Sequence, residues 1–270
     1  MLDIISKIDF KSLFGVDIQK DVLNILYGSG SVETFRKPPK IHVEEKISFT
    51  NDVYLNNTYK GQRAVVKKIP SEEKTEVIME VIVHALFYEI TKNKVMRAPK
   101  PLALFKDEKH FYFFQQQVGG KYVHELKAPE MRQCLMTITS ELANLQEEYE
   151  FMHKDFKSDN VLYNKGIVYI IDFGFSCIGP LGFRKCQNNS ADICFLLLSI
   201  YLNLGRSPKP SFIKEFVNAI SCQLNKDMPG DCDISEENDC VCFQDAVYEY
   251  KQMDDFLPLK VYNKLKGLKF

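Results

Sequence analysis

The most constraining feature of this 270-residue sequence is a change of pattern near the middle of the chain. Short strand-like segments occupy residues 46–69 and 111–114, where Val, Ile, Phe and Tyr are frequent. After residue 128, apolar residues recur mostly at helical spacing, and Gly119-Gly120 separates the two patterns. Strands followed by helices in this order predict an α+β fold, with a small β-rich lobe and a larger, mainly helical lobe.

Three regions follow from this division. Residues 1–40 are predicted to be an N-terminal extension and linker, because Gly- and Pro-rich turns close that stretch. Residues 41–117 form the predicted small lobe and residues 118–270 the large lobe. The linker includes Gly28-Ser29-Gly30, which could instead approach a phosphate group.

Charge and hydropathy exclude several classes of protein. The chain has 35 Lys+Arg against 36 Asp+Glu, a net charge of −1, so general nucleic-acid binding is not expected. The longest apolar run, Ile193–Leu202, is about half the length of a membrane-spanning helix, so no transmembrane segment is predicted. The N-terminus lacks the pattern of a secretory signal, which favours a cytoplasmic protein.

The 8 cysteines are too few for a disulfide scaffold, so free thiols in a reducing compartment are expected. Four of them lie close together in sequence: Cys222, Cys232, Cys240 and Cys242. Four thiolates could hold Zn²⁺, but the usual closely spaced pair is missing and no His is near. Cysteines without a ligand are therefore favoured over a zinc site.

One segment carries a recognisable chemical pattern, His153-Lys154-Asp155-Phe156-Lys157-Ser158-Asp159-Asn160. Asp172-Phe173-Gly174 begins twelve residues after Asn160, with a predicted hairpin of two short strands between them. The combination resembles the catalytic loop and the metal-binding motif of protein kinases. This resemblance implies phosphoryl transfer, which depends on positioning and charge neutralisation.

The resemblance assigns a role to four side chains of this segment. Asp155 would accept a proton from the substrate hydroxyl or orient it, and Lys157 would meet the transferring phosphate. Asn160 and Asp172 would supply oxygen ligands to Mg²⁺, a hard cation that prefers them. The implied cofactors are therefore ATP and Mg²⁺, and His153 is expected to pack beneath the loop.

The strand Ala64–Ile69 resembles the kinase strand that carries the phosphate-binding lysine. Lys67 is the expected residue, with Lys68 as its rival. Val65 would share a face of the strand with Lys67 and could cover the adenine.

An acidic partner for this lysine is expected on the helix that follows. Glu80 is favoured, and Glu76 lies four residues away on the same helix face. Further along, Phe113–Gly120 resembles the strand and hinge between kinase lobes. Backbone groups from Gln116 to Val118 would then bind the adenine edge.

The sequence at the start of a predicted buried helix gives one further residue a role. Ser190-Ala191-Asp192-Ile193 resembles the opening of the kinase F-helix. Asp192 would brace the backbone of the catalytic loop or cap this helix, and both roles are compatible.

The sequence also departs from the protein-kinase pattern. Residues 47–54 contain no glycine where a glycine-rich loop is expected, and Asp172 to Asp192 is only 20 residues, without an Ala-Pro-Glu motif. Thr50-Asn51-Asp52-Val53-Tyr54 resembles a loop of choline and aminoglycoside kinases.

Three functions are compatible with these features. A Ser/Thr protein kinase acting on a protein substrate is favoured by Lys157 and the intact Asp172-Phe173-Gly174. A small-molecule kinase of the choline or aminoglycoside type and an inactive kinase-like scaffold are the alternatives. The compact form also resembles kinases of large DNA viruses, which would place the protein in the host cytoplasm or the virion.

Overall fold

A computed structural model of the chain describes residues 8–15, 17–28, 35–42, 52–182, 184–186, 189–227 and 253–268. The chain divides into two compact units, Met1–Gly119 and Gly120–Phe270. The first is built on a β-sheet and the second is mainly helical. The predicted α+β class is confirmed.

The first unit is an antiparallel sheet with strand order β1-β2-β5-β4, together with helices. The strands of this sheet are β1 (Asp52–Tyr59), β2 (Gln62–Pro70), β4 (Pro101–Lys106) and β5 (His110–Gln116), and the unit also contains the short strand β3 (Met96–Arg97), which lies outside the sheet. Its helices are α1 (Phe10–Phe14), α2 (Gln19–Tyr27) and α3 (Lys74–Thr91).

Alternation along β2 gives the sheet two different faces. Ala64 and Val66 are buried in an apolar cluster with Phe105 and Phe114. Lys67 points to the opposite face, which α3 covers, and pairs there with a glutamate of that helix. This arrangement explains why α3 is apolar around most of its circumference.

Helix α3 begins differently from the sequence prediction. The segment Pro70-Ser71-Glu72-Glu73 is typical of a helix start and predicts Ser71 as the N-cap. A 3₁₀ turn instead occupies Ser71–Glu73, and α3 starts at Lys74. The N–H of Ser71 donates to Lys109 O at 2.9 Å, and its hydroxyl donates to Glu108 O. The prediction was wrong because the β4–β5 turn takes the polar groups of Ser71 that capping would use.

Arg36 fastens α2 to the sheet of the same unit. Its guanidinium donates to Ile25 O at 3.1 Å, near the C-terminal end of α2, and to the Tyr59 hydroxyl at 3.1 Å. It also lies over the Phe105 ring, 4.8 Å from the centroid. Cations are favourable at a helix C-terminus and over aromatic faces, so one side chain supplies both contacts.

The second unit surrounds a buried helix. Its helices are α4 (Ala128–Tyr149), α5 (Ala191–Asn203), α6 (Ser211–Asp227) and α7 (Pro258–Gly267). Its strands are β6 (Lys121–Tyr122), β7 (Phe151–Met152), β8 (Val161–Asn164), β9 (Ile167–Ile170) and β10 (Cys177–Ile178). Every residue from Ala191 to Ile200 of α5 is buried, as its apolar sequence predicted.

Strands β8 and β9 form the predicted hairpin, with Asn164 opposite Ile167. Strand β6 pairs with β8, and β7 pairs with β10, both antiparallel. Gly120 precedes β6 at φ +152°, where an added Cβ would lie 2.8 Å from Tyr163 O. A larger residue there would collide with the backbone of β8. Among the described residues, no helix is long and apolar enough to span a membrane.

The β4–β5 turn yields a pH-dependent prediction. The Tyr112 hydroxyl donates to Asp107 at 2.7 Å, and the N–H groups of Lys109 and His110 donate to the same carboxylate. These bonds, that of Tyr112 above all, lower the pKa of Asp107 from 3.8 to about 2. Because the folded-state pKa is lowered, the stabilisation is present above about pH 4 and lost as the pH falls through 2.

We therefore expect Tyr112→Phe to raise the pKa of Asp107 towards 3.8. An NMR titration of the Asp107 carboxyl carbon measures this value directly. The carboxyl group of Asp17, which is exposed, serves as the internal reference. An Asp107 pKa that the substitution leaves unchanged would contradict the assigned cause.

Candidate active site

The predicted site residues fall into two groups, one in each compact unit. The first unit holds Val65, Lys67, Glu80, Gln116 and Val118. The second holds Asp155, Lys157, Asn160 and Asp172.

The structure brings Lys67 and Glu80 together. Lys67 Nζ lies 3.0 Å from both carboxylate oxygens of Glu80, and the two side chains are only 11% and 5% exposed. The rivals are placed elsewhere, since Lys68 pairs with Asp52 at 3.5 Å and Glu76 is exposed. A buried ion pair costs desolvation energy, and here it fixes one ammonium group at a defined point of the sheet.

Backbone hydrogen bonds show which of the predicted adenine-binding N–H groups is available to a ligand. Val65 lies on the Lys67 face of β2 and is partly exposed. The N–H of Gln116 donates to Lys100 O at 2.8 Å, and the N–H of Gln117 donates to Arg63 O at 3.0 Å. In the described part of the chain, the N–H of Val118 has no hydrogen-bond partner. Of these three donors, Val118 is therefore the one suited to a ligand.

In the second unit, two of the predicted side chains contact the carboxylate of a third. Asp155 Oδ2 accepts from Lys157 Nζ at 2.9 Å and from Asn160 Nδ2 at 3.0 Å. Asn160 Nδ2 also donates to the backbone oxygen of Asp155 at 2.8 Å. These contacts orient the Asp155 carboxylate and place a cation beside it.

Asn160 and Asp172 lie at the same end of the β8–β9 hairpin. Val161 pairs with Ile170, and the N–H of Ile171 donates to Asn160 O at 3.0 Å. Asp172 adopts φ +63°, a left-handed conformation that is uncommon for residues other than glycine. Such strain is typical of residues held in place for a function.

The donor set at this end of the hairpin fits Mg²⁺. The Asn160 amide nitrogen faces Asp155, so the amide oxygen is turned the other way. Together with the Asp172 carboxylate it provides two hard oxygen donors. In the described residues, no group of three or more His, Cys, Asp or Glu side chains could hold a metal. Two protein ligands are compatible with Mg²⁺, which keeps waters and binds substrate phosphates.

Asp192 supports the loop His153–Asn160 from the start of α5. Its carboxylate accepts from the N–H of His153 at 2.7 Å and from that of Lys154 at 2.9 Å, which confirms the predicted bracing role. Ser190, not Asp192, occupies the N-cap position. Lys154 has φ +64°, so these bonds hold a strained backbone.

His153 is structural, as predicted. It is fully buried, its Nε2 lies 3.0 Å from Ile171 O, and its ring packs against Phe156 and Phe173. One ring therefore connects the residue before Asp172 to the residues around Asp155.

The segment after Asp172 is tied to the same loop. The Ser176 hydroxyl donates to His153 O at 3.0 Å. Cys177 is joined to Cys186 by a disulfide, so the expectation of free thiols is wrong for this pair. The sequence could not show that the chain returns after β10 to bring residues 9 apart into contact.

Several sequence-level expectations lie wholly or partly outside the described residues. These are the glycine-free stretch 47–51, Thr50-Asn51 of the small-molecule-kinase loop, and Ser29-Gly30 of the linker. Of the four late cysteines, only Cys222 is described, and it is exposed.

Two residues that support the loop were missed by the sequence reasoning. Ser199 and Asn203 of α5 form hydrogen bonds to Ser158. They follow Asp192 by 7 and 11 residues, which places all three on one helix face. A polar stripe at this spacing in an apolar helix was the available signal.

Comparisons with known proteins agree with this geometry. Residues 113–183, which include Asp155, Lys157, Asn160 and Asp172, match the phosphotransferase enzyme family. The dual specificity protein kinase zak2 of Dictyostelium discoideum is 23% identical over 129 residues, which is 45% of this chain. The match covers 19% of the length of that kinase.

Removal of the Asp192 carboxylate is expected to destabilise the second unit. Asp192→Ala leaves the buried N–H of His153 and the partly buried N–H of Lys154 without their acceptor, so the free energy of unfolding should fall by about 3 kcal/mol. Urea denaturation followed by circular dichroism measures the change. The exposed carboxylate of Asp255 provides a control, since Asp255→Ala should change stability little. A loss for Asp192→Ala as small as that for the control would contradict the bracing role.

The disulfide gives a chemical prediction. Alkylation in denaturant without reductant should label Cys222 but leave Cys177 and Cys186 in one cross-linked peptide pair. After reduction, all three should be alkylated, as read by peptide mass spectrometry. Labelling of Cys177 and Cys186 before reduction, to the extent seen for Cys222, would show that this pair is not bonded.

Proposed function

We propose that this chain is a protein kinase-like phosphotransferase, and specifically a Ser/Thr protein kinase that uses Mg²⁺ and ATP. The observation that carries the proposal is the cluster in which Asp155 contacts both Lys157 and Asn160. A carboxylate next to a cation and to an amide ligand suits the transfer of a phosphoryl group to a hydroxyl.

Asp155 would be the residue that receives the hydroxyl proton. Its carboxylate is oriented by two donors, so it needs little reorganisation when the hydroxyl approaches. Lys157 Nζ, 2.9 Å from Asp155, would stabilise the charge on the transferring phosphoryl oxygens. This pairing explains why both residues are required two positions apart.

Charge neutralisation is the second contribution of the protein. Asn160 and Asp172 would hold Mg²⁺, and the bound cation would neutralise charge on the β- and γ-phosphates. Lys67, fixed by Glu80, would bind phosphate oxygens of ATP. The N–H of Val118 would donate a hydrogen bond to a ring nitrogen at the adenine edge.

A protein substrate is proposed for two reasons. Lys157 and Asp172-Phe173-Gly174 together resemble protein kinases more than small-molecule kinases, which usually lack this lysine. The dual specificity protein kinase from Dictyostelium discoideum is also similar over part of the chain.

A small-molecule kinase is the second candidate. The match of residues 113–183 to the phosphotransferase enzyme family favours it, and so does the short stretch from Asp172 to Asp192. The acceptor would then be a hydroxyl or an amine of a metabolite. Both candidates use the same residues for transfer, so the acceptor decides between them.

The test is transfer of γ-labelled phosphate from Mg-ATP to a mixture of protein acceptors and, separately, to a panel of small alcohols and amines. We expect label on Ser or Thr. Asp155→Asn should lower the rate by about 10²- to 10⁴-fold because the proton acceptor is lost. Asp172→Ala should abolish turnover because a metal ligand is lost.

Lys67→Ala and its matched control Lys68→Ala test whether Lys67 binds the phosphates of the nucleotide. Lys67→Ala should slow transfer by about 10²-fold or more, whereas Lys68→Ala should remain near the wild-type rate. Label on an alcohol or amine alone would replace the protein-kinase proposal with the second candidate. ATP binding without transfer to any acceptor would indicate an inactive scaffold.

A further inference from the structure

The catalytic loop lies along a polar stripe on α5. The stripe consists of Asp192, Ser199 and Asn203, which share one helix face because they are 7 and 4 residues apart. The remaining surface of the helix is almost entirely apolar and buried up to Ile200. The stripe extends about 16 Å along the helix axis, at about 1.5 Å per residue.

The two ends of the stripe hold different parts of the loop. Asp192 binds the backbone before Asp155, through His153 and Lys154. Ser199 and Asn203 bind the 3₁₀ turn Ser158–Asn160, which follows Lys157. The spacing along one rigid helix therefore sets where the turn lies relative to the backbone around Asp155.

Ser199 fixes the backbone of this turn. The N–H of Ser158 donates to Ser199 Oγ at 2.8 Å, and the Ser199 hydroxyl donates onward to Leu196 O at 2.9 Å. Ser158 is fully buried, so no water can replace this acceptor without rearrangement.

Asn203 fixes the side chains of the same turn. Its Nδ2 donates to Ser158 Oγ at 2.7 Å and to Asp159 Oδ2 at 3.1 Å. The Ser158 hydroxyl also lies 3.0 Å from His124 Nδ1. One amide group thus bridges two successive residues that directly precede Asn160.

These contacts restrict the position of the next residue, Asn160. Its N–H donates to Lys157 O at 2.9 Å, and its carbonyl accepts from Ile171 at 3.0 Å. Its side-chain nitrogen is held by Asp155. The direction of its amide oxygen therefore depends on where the turn is held.

We infer that Ser199 and Asn203 are positioning residues that aim the Asn160 amide oxygen at a divalent cation. The inference rests on the proposed function, because it requires that Asn160 binds the metal. Groups behind a metal ligand orient it, and their loss typically weakens metal binding by about tenfold or more.

The variants suited to a test are Asn203→Ala and Ser199→Ala. Asn203 is exposed at the C-terminal end of α5, so its replacement should leave the fold intact. Asn218→Ala is the matched control, because Asn218 is an exposed asparagine on α6. Thermal unfolding of each variant verifies that it is folded.

Two measurements separate positioning from catalysis. The first is hydrogen–deuterium exchange of peptides that cover residues 157–162, which needs no nucleotide, metal or turnover. The second is the dissociation constant of Mn²⁺, measured by electron paramagnetic resonance with a non-hydrolysable ATP analogue. We expect faster exchange and about tenfold weaker Mn²⁺ binding in both variants, with Asn218→Ala like the wild type.

The other possible outcomes contradict either the positioning role of Ser199 and Asn203 or the proposed function. Unchanged exchange in both variants would overturn the inference, whatever the activity of the protein. Faster exchange with unchanged Mn²⁺ affinity would also overturn it, and would leave the proposed function intact. A wild type that shows protection at residues 157–162 but binds no Mn²⁺ with the nucleotide would overturn the proposed function and, with it, the metal-positioning role.

Discussion

The candidate site of the second unit depends on the hydrogen bonds that the buried carboxylate of Asp192 accepts. This carboxylate accepts hydrogen bonds from two backbone N–H groups of the loop His153–Asn160, at 2.7 and 2.9 Å, where Lys154 has φ +64°. A left-handed non-glycine residue persists only where its surroundings over-determine the conformation. The charge-assisted bonds to Asp192 provide that constraint, and they are strengthened because the Asp192 carboxylate is fully buried.

The same helix explains why an apolar segment carries three polar residues on one face. In the loop His153–Asn160, the Asp155 carboxylate and the Asn160 amide are buried, and Lys157 beside them is partly exposed. Buried polar groups need partners, and these three contact one another, while His153 and Ser158 bind the residue after β9 and helix α5. The packing around the loop therefore orients these groups, which is the condition for preorganised chemistry.

In the first unit, the equivalent constraint is that successive side chains of β2 point to opposite faces of the sheet. One face of the strand buries Ala64 and Val66 in the sheet's apolar cluster, so Lys67 must emerge on the face that α3 covers. Glu80 meets it there because it lies among buried residues of α3, whereas Glu76, one turn earlier, is exposed. The ion pair is the polar exception in an otherwise apolar contact between helix and sheet.

The sequence by itself determined the fold class of this protein and the set of candidate site residues. Strand and helix patterns determined the α+β class, because alternation and helical periodicity are local properties. The motif spacing determined which side chains are candidates for chemistry. The pattern favoured Lys67 and Glu80 but left Lys68 and Glu76 as rivals, because the two lysines are neighbours on one strand and the two glutamates lie one turn apart on the same face of α3. Only the tertiary structure decided these pairs, the contact between Cys177 and Cys186, the displaced start of α3, and the role of Ser199 and Asn203. These features depend on groups that meet through folding, and the distances between such groups are set by packing rather than by separation along the chain.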